Sequence, residues 1–236
     1  FISEYCEHPD DSDGRYLEIY NPTSSAISLN GYELWRLSNG GSWPEGELSL
    51  SGYTINSGEV IAVTRKDENN SDASELIDFE NIEYIHWSSF NPGGDDAVGI
   101  AKNGILIDAI GGTSRPPTGW EVAGYNEATK DGQLIRKDSI INGNINSDCM
   151  VAENENEDCW NISRGTDIED SEWIVYQDSD VDSWNNAGFH YCAICDNYLT
   201  ITLTDNATPI AGISSDFELC DLGECNGLFV PSWEAF

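Results

Sequence analysis

Two short apolar runs separated by an Asn-Gly pair constrain the fold of this chain more than any other feature. The runs are residues 97–101 and 105–110, and Asn103-Gly104 lies between them. Asn and Gly both tolerate positive φ, and a tight turn of this kind matches the twist of the strands that it joins. A Gly-Gly pair precedes the first run and another follows the second. The pattern predicts a β-hairpin, and with it a fold built from antiparallel strands.

Further strand-like segments recur along the chain, with Gly, Asn or Pro between them. They are residues 1–5, 15–20, 27–29, 32–37, 48–55, 60–63 and 172–176. Short alternating runs with this spacing are typical of an all-β sandwich. We expect 27–29 to pair with 32–37 across the Asn-Gly turn between them. A short helix is compatible with 74–79, and we expect the Asn-rich and Glu-rich segment 139–165 to be irregular.

Several stretches occur in an order that is informative as a set. They are Phe1–Tyr5, Arg15–Thr23, Ile27–Leu34, Gly94–Gly99, Lys102–Gly111, Ala128–Asp131, Leu134–Lys137 and Ser171–Trp173. In this order they resemble the lamin tail domain, which occurs in nuclear lamins and in many secreted bacterial and archaeal proteins. The resemblance implies an immunoglobulin-like β-sandwich over residues 1–191, without catalytic activity of its own. It also implies a role in protein interaction or scaffolding.

The last part of the chain, residues 192–236, lies outside this resemblance. Apolar residues alternate with polar ones at 198–204, and shorter apolar runs follow at 210–213 and 217–219. A unit this short buries little surface and needs disulfides or a partner to be stable. We therefore expect a small disulfide-stabilised β extension, or else a strand that is donated to a sheet edge in this molecule or in the next.

The net charge is extreme, since 43 acidic and 10 basic residues give −33. Such a surface repels nucleic-acid phosphates, so we expect no direct binding of nucleic acid. No apolar run reaches the length of a membrane span. The chain begins within a strand-like run without a leader pattern, and we expect a processed or excerpted product of a secreted or cell-surface protein.

The seven cysteines indicate disulfides of the secreted type rather than catalytic thiols. Cys149 and Cys159 flank an acidic loop that a bond between them would close. Four more cysteines lie in the tail: Cys192, Cys195, Cys220 and Cys225. These four can pair among themselves in three ways, and a zinc ribbon is the alternative for them. Cys6 is left over, either as a free thiol or as one bonded to a neighbouring molecule.

Two acidic stretches are candidates for calcium binding. Their carboxylates are Asp10, Asp11 and Asp13 in the first and Asp178, Asp180 and Asp182 in the second. Carboxylate oxygens spaced around a turn suit a hard cation, although neither stretch has the full EF-hand pattern with its terminal Glu. The alternative is a turn that is rich in Asp because Asp accepts turn geometry.

No catalytic constellation is recognisable. The three histidines are scattered, and nucleophile-elbow, phosphate-loop and metalloprotease patterns are missing from the sequence. Asp95 and Asp96 look like site residues, but carboxylates that enter a strand commonly accept bonds from backbone N–H groups of the preceding turn. We therefore expect a structural role for them. His190 is interpreted as a satisfied residue at the domain edge rather than a base.

Three glycosylation sequons begin at Asn69, Asn161 and Asn206. We expect all three to lie in polar loops or turns, where a host that glycosylates proteins could modify them.

Together these observations predict a secreted, non-catalytic structural or adhesive module whose partners are proteins, including further copies of itself. The strand-rich tail and the unpaired cysteine favour head-to-tail assembly, which gives filaments when the repeated contact does not close. One alternative is an accessory domain of a secreted nuclease or hydrolase whose catalytic domain lies outside this chain. Another is a calcium-dependent carbohydrate-binding module, for which Trp184 follows the acidic stretch that ends at Asp182.

Overall fold

The structure of the protein, a computed structural model, describes residues 1–9, 15–65, 83–145, 155–177 and 187–193. The chain divides into two units, Phe1–Tyr198 and Leu199–Phe236, and every described residue lies in the first. The expected boundary near residue 191 and the expected C-terminal β extension therefore stay predictions.

The described residues form twelve strands and one helix. In chain order they are β1 Ile2–Cys6, β2 Tyr16–Tyr20, β3 Ile27–Ser28, β4 Tyr32–Leu37, β5 Gly46–Ser49, β6 Thr54–Ile55, β7 Val60–Thr64, β8 Tyr84–His86, β9 Ala97–Lys102, β10 Ile105–Ile110, β11 Gly132–Arg136, α1 Glu155–Arg164 and β12 Trp173–Gln177.

The strands build a sandwich of two main sheets. One sheet has six strands in the order β12-β11-β1-β2-β7-β8, and its pairs are antiparallel except for β7 and β8. The other has four strands in the order β10-β9-β4-β5, and β3 pairs with β6 in a short ribbon of their own. The prediction of an all-β, immunoglobulin-like sandwich is confirmed.

Apolar side chains from both sheets form one core. Leu17 and Ile19 of β2 belong to the same buried cluster as Val98 and Ile100 of β9. The two residues of each pair are two positions apart on their strand. They face the core together, because every second side chain of a strand points to the same face of its sheet. The alternation that predicted the strands is therefore the alternation that fills the core.

The hairpin over residues 97–110 is confirmed. β9 pairs with β10 in antiparallel fashion up to the contact between Lys102 and Ile105. The two turn residues have positive φ, 52° at Asn103 and 75° at Gly104. Both values lie in the left-handed region, which Asn and Gly enter more easily than other residues.

The pairing expected for 27–29 is wrong. β3 pairs with β6, with Ile27 opposite Ile55, whereas β4 lies between β5 and β9. The Asn-Gly turn after β3 does reverse the chain, since the Tyr32 N–H donates to the Leu29 carbonyl at 3.0 Å. It delivers β4 to a different sheet, so a local turn signal did not identify the partner strand.

The prediction that 139–165 is irregular is wrong over α1. This helix is anchored by Trp160, whose side chain is fully buried. The Trp160 ring meets Trp120 and Trp173 edge-on, with ring centroids 6.1 and 6.4 Å apart. One large aromatic side chain thus holds a helix whose other residues are mainly polar.

Arg136 of β11 and Asp108 of β10 form a buried ion pair that joins the two sheets. Nη2 of the arginine donates to both carboxylate oxygens, at 2.6 and 2.8 Å, and neither side chain has exposed surface. The carboxylate also accepts the backbone N–H groups of Ile2 at 2.6 Å and Asn144 at 2.9 Å. The arginine Nη1 donates to Glu172 at 2.7 Å. The ion pair is therefore surrounded by further bonds from several elements of the sandwich.

Candidate functional site

Residues 187–193, here called the covering segment, lie across the outer face of the six-stranded sheet. The Gly188 N–H donates to Oε2 of Glu18 on β2 at 2.7 Å. At the other end, the Ala193 N–H donates to the Asp138 carbonyl, which follows β11, at 3.0 Å. The covering segment therefore spans the sheet from β2 to the end of β11.

Side chains of the covering segment alternate between buried and exposed. His190 and Cys192 are buried, whereas Phe189 and Tyr191 are 56% and 61% exposed. Ile174 of β12 is 44% exposed and lines the same groove, which has a volume of about 360 Å³ and is also lined by Ile135, Lys137 and Asp138. We call Ile174, Phe189 and Tyr191 the aromatic surface. Large apolar side chains grouped at a surface commonly mark a contact with another molecule.

The aromatic surface adjoins a sheet edge. Among the described residues, β12 pairs only with β11, in a register without a bulge from Gly132 opposite Gln177 to Arg136 opposite Trp173. The bond from the Lys137 N–H to the Glu172 carbonyl, 2.8 Å long, sets the alternation of bonded and non-bonded pairs. By that alternation the backbone N–H and C=O groups of Val175 point away from β11.

Other sheet edges carry features that discourage pairing. Asn144 covers β10, because its Nδ2 donates to the Ala109 carbonyl at 2.6 Å and its Oδ1 accepts the Ala109 N–H at 3.0 Å. β5 has four residues and exposes Glu47, while β8 has three residues. Charge, shortness and cover are the usual ways in which proteins protect edges from further strands. β12 has five residues, four of them apolar or aromatic, and carries no charge.

Two carboxyl groups lie buried beneath the covering segment. Glu4 and Glu18 are each 1% exposed. Tyr16 and Gln133 donate to Oε1 of Glu4, and the Ser3 hydroxyl donates to Oε1 of Glu18 at 2.7 Å. Burial raises the pKa of Glu4 well above its usual range, and the nearby charge of Glu18 raises it further. Burial raises the pKa of Glu18 to about 7.

His190 packs against aromatic rings on the same face. Its ring meets that of Tyr20 edge-on at 4.8 Å and that of Phe1 at 5.7 Å. Burial, followed by the charge of Arg136, lowers the pKa of His190 to about 4. The interpretation as a satisfied residue is wrong for Nε2, which is buried without a hydrogen-bond partner among the described residues. The neutral imidazole ring therefore packs against the aromatic rings as an uncharged group.

Three of the candidate cysteines can be placed. Cys6 is free and fully buried on the outer face of the six-stranded sheet, and burial raises the pKa of its thiol well above the usual range. Cys159 and Cys192 are disulfide-bonded. The pairing that the sequence suggests for them involves cysteines beyond the described residues, so the connectivity stays a prediction.

Most of the other candidate site residues lie outside the described residues. They are Asp10, Asp11, Asp13, Asp178, Asp180, Asp182, Cys149, Cys195, Cys220, Cys225, Asn69 and Asn206, together with Trp184 and the possible helix at 74–79. Calcium binding and glycosylation at these positions remain predictions. Within the part of the chain that the structure describes, no three His, Cys, Asp or Glu side chains are grouped as they would be around a metal ion.

Asn161 is described, and its predicted setting in a loop is wrong. It lies in α1 with an exposed side chain, whose Oδ1 accepts a bond from Nε of Arg164 at 2.9 Å.

Asp96 has the structural role that was expected. Its Oδ2 accepts the Gly93 N–H of the preceding turn at 2.8 Å, and its Oδ1 accepts the Asn39 N–H at 2.8 Å. Asp95 instead forms an ion pair with Arg115 at 2.7 Å. Both carboxylates are thus engaged in holding loops around the central hairpin.

The covering segment and the buried ion pair were missed by sequence reasoning. For the covering segment the sequence was misleading, because the aromatic residues Phe189 and Tyr191 are the exposed ones and His190 and Cys192 are buried. For Arg136 and Asp108 there was no signal, since nothing in the sequence shows that two charges on separate strands will meet.

Comparison with known families gives an assignment for the first part of the chain. Residues 1–114 match the family model of the lamin tail domain. This part of the chain belongs to the lamin tail domain family. The match ends after β10, and β11 and β12 extend the six-stranded sheet beyond it. The family is an immunoglobulin-like module that is not typically catalytic. Neither the curated proteins nor the solved structures that were searched contain a match to this chain.

Among the described residues, no helix is long and apolar enough to span a membrane.

Proposed function

We propose that the protein is a secreted, non-catalytic structural module that assembles head to tail, with residues 198–204 of one copy adding to the edge of β12 in the next. The observation that carries this proposal is the β12 edge with the aromatic surface beside it. Strand addition uses backbone hydrogen bonds for affinity and surface pockets for alternate side chains. The groove beside β12 would receive apolar side chains of the added strand.

The alternation at 198–204 supports the choice of donor. Tyr198, Leu199, Ile201 and Leu203 are separated by threonines over most of this stretch. Such a strand presents one apolar face and one polar face. Its apolar face suits the aromatic surface, and its polar face suits solvent.

Charge determines the conditions under which assembly would occur. Two copies that each carry a net charge of −33 repel one another. Salt screens this repulsion over a length of about 8 Å at physiological ionic strength. Assembly by strand addition should therefore strengthen as ionic strength rises, and divalent cations should favour it further.

The test is the mass of the native protein in solution, measured by light scattering over a range of concentrations and salt. We expect oligomers whose population grows with both. Val175→Pro should shift the population to monomer, because proline removes an outward N–H while the bonds of β12 to β11 remain. Ser49→Pro is the matched control: the bond from the Leu50 N–H to the Tyr32 carbonyl makes the Ser49 N–H point outward from β5.

Two results would reject the proposal. One is a wild-type protein that stays monomeric at all salt concentrations, and the other is loss of assembly in both proline variants alike. A double variant, Phe189→Ser with Tyr191→Ser, removes the aromatic surface without touching the backbone of β12. It keeps the test valid if Val175→Pro does not fold.

The burial of Cys6 indicates whether copies of the protein would be joined by a covalent bond. A fully buried thiol cannot reach another molecule without local opening, so we propose non-covalent contacts rather than a Cys6 disulfide between copies. Mass analysis with and without reducing agent should then show the same 26.0 kDa chain. A disulfide-linked ladder that collapses on reduction would contradict this part of the proposal.

A second candidate function is carbohydrate binding that depends on calcium. The exposed rings of Phe189 and Tyr191 favour it, because sugars stack on exposed aromatic rings, and the acidic stretch at 178–182 lies close in sequence. Retention on polysaccharide that is lost with a calcium chelator, and lost in Tyr191→Ala, would favour this function over assembly.

A further inference from the structure

A cavity of about 170 Å³ opens between the two sheets, at the end of the sandwich where β3 and β6 form their ribbon. Six isoleucines line it: Ile19, Ile27, Ile55, Ile100, Ile107 and Ile141. Ile19, Ile55 and Ile100 are buried in the core, whereas Ile141 is 40% exposed. Ile141 therefore belongs to the rim through which the cavity meets solvent.

Among the described residues, the lining contains no Asp, Glu, Lys, Arg or His side chain, and its charged group is the α-ammonium of Phe1, which donates to the Tyr20 carbonyl at 3.1 Å. A lining without charged side chains is unusual for a chain with 43 acidic and 10 basic residues. A charged ligand entering the cavity would lose its hydration without meeting an opposite side-chain charge, which is costly. Burial lowers the pKa of the Phe1 amine, which is already bonded to a carbonyl, so the lining as a whole favours an uncharged ligand.

The buried polar side chain in the lining is already satisfied. Asn21 donates to the carbonyls of Ser25, Ile55 and Asn56 at 2.8, 2.9 and 3.1 Å. Its Oδ1 accepts the Thr23 N–H at 3.0 Å. A ligand therefore finds no free hydrogen-bonding group on this amide, and water gains little by filling the space. Apolar cavities of about 150 Å³ stay dry and take up benzene.

We propose that this cavity binds a small, uncharged, apolar molecule, of the size of benzene or of a six-carbon alkyl chain. The binding site is separate from the β12 edge, so the proposal does not depend on assembly. Ile141 at the rim controls entry, and the aliphatic side chains from both sheets provide the contact surface.

The probes are hexan-1-ol and hexanoate, which share a chain length and differ in charge. Each is titrated into wild-type protein labelled at its isoleucine methyl groups, and NMR follows every methyl signal. We expect hexan-1-ol to cause saturable shifts at the six lining isoleucines. Ile105, Ile162 and Ile168 are 64%, 62% and 59% exposed and do not line the cavity, so their signals should stay in place. Hexanoate should bind about tenfold more weakly or less, because its charge must leave water.

A rim variant locates the binding site. Ile141→Trp fills the entrance and should weaken binding of hexan-1-ol by about tenfold, the effect of losing one to two methylene groups of buried contact. Ile105→Trp makes the same substitution on β10 outside the lining and should leave binding unchanged. If Ile141→Trp does not fold, the titrations of hexan-1-ol and hexanoate into wild-type protein test the proposal by themselves.

Three outcomes would overturn the proposal. The first is the lack of any saturable shift at the lining isoleucines up to the solubility of hexan-1-ol. The second is a set of shifts that spreads equally to the exposed isoleucines, which would indicate non-specific contact. The third is equal binding of hexanoate and hexan-1-ol.

Discussion

Two of the regions in which the sandwich buries carboxyl groups differ in how those groups are paired. Between the sheets, Asp108 is paired with Arg136 and accepts bonds from several backbone N–H groups. Beneath the covering segment, Glu4 and Glu18 meet no cation among the described residues, and burial raises the pKa of both. Among the described residues, Oε2 of Glu4 has no hydrogen-bond partner at all.

This difference separates two kinds of buried polar contact. A buried ion pair is costly to break, because the remaining charge is stranded in the core. A buried carboxyl without a cation is tolerated as long as it holds its proton, and becomes unfavourable when it loses it. The first contact pairs each charge with its opposite, and the second makes the stability of the domain sensitive to pH.

The largest expected effect comes from breaking the ion pair. Arg136→Met should lower the free energy of unfolding by about 3–5 kcal/mol, because it leaves Asp108 buried without its cation. Denaturant unfolding monitored by tryptophan fluorescence measures this loss. The double variant Arg136→Met with Asp108→Leu should recover part of it, since no charge then remains in the core. If the free energy of unfolding of the single variant lies within about 1 kcal/mol of the wild-type value, the ion pair contributes little to stability.

The second effect is a loss of stability as pH rises. The folded state holds the Glu18 proton up to a pKa of about 7, against 4.5 for an ordinary glutamate. The native state therefore binds more protons than the unfolded state between these values, and its stability falls as pH rises through them. The contribution of Glu18 is fully present below pH 4.5 and lost above pH 7, and amounts to about 3 kcal/mol. Glu4 acts in the same direction, and so does Glu7, whose pKa burial raises to about 7. Unfolding at a series of pH values measures the slope.

Glu18→Gln is the variant that isolates this carboxyl group from the general repulsion of an acidic chain. Glutamine cannot ionise. Its oxygen can still accept the Gly188 N–H, and its NH2 group can donate to the Ser3 hydroxyl oxygen. We expect it to match wild type near pH 4.5 and to be more stable at pH 8. An unchanged pH dependence in this variant would contradict the assignment of the effect to Glu18.

The smallest expected effect concerns the covering segment and its link to Cys6. Cys6 and Ala187 pack in one cluster on the outer face of the sheet, so opening of the covering segment should make the thiol more accessible. At pH 8, alkylation of Cys6 should be slower in Glu18→Gln than in wild type. The side chain at position 18 then carries no buried charge, so the covering segment should open less often. Intact mass after timed alkylation measures both rates at one pH. Equal rates would show that the ionisation of Glu18 does not loosen the cover.

Local signals in the sequence predicted local structure well. The hairpin at 97–110 needs only its own residues, because turn chemistry and alternation lie within one short stretch. The same holds for β1, β2, β7 and β12. The pairing of β3 with β6 could not be found this way, since the Asn-Gly turn after β3 describes a reversal of the chain and not the strand that lies alongside.

Contacts between residues that are far apart in the chain could not be predicted from the sequence. Helix α1 is polar in composition, and it is held by the buried side chains of Cys159, Trp160 and Ser163. The charges of Arg136 and Asp108 could not be distinguished in advance from the many charges that remain at the surface. The pKa shifts of Glu4 and Glu18 come mainly from burial, which the sequence around these residues does not show.

The cover that Asn144 provides over β10 has a consequence for any polymer of this protein. If strand addition is confined to β12, each copy has one acceptor and one donor, so a growing chain is directional and its two ends are chemically different. A copy truncated before residue 198 would keep the acceptor and lack the donor. Added in small amounts, it should act as a chain terminator that shortens polymers by capping one end while leaving the other free to grow.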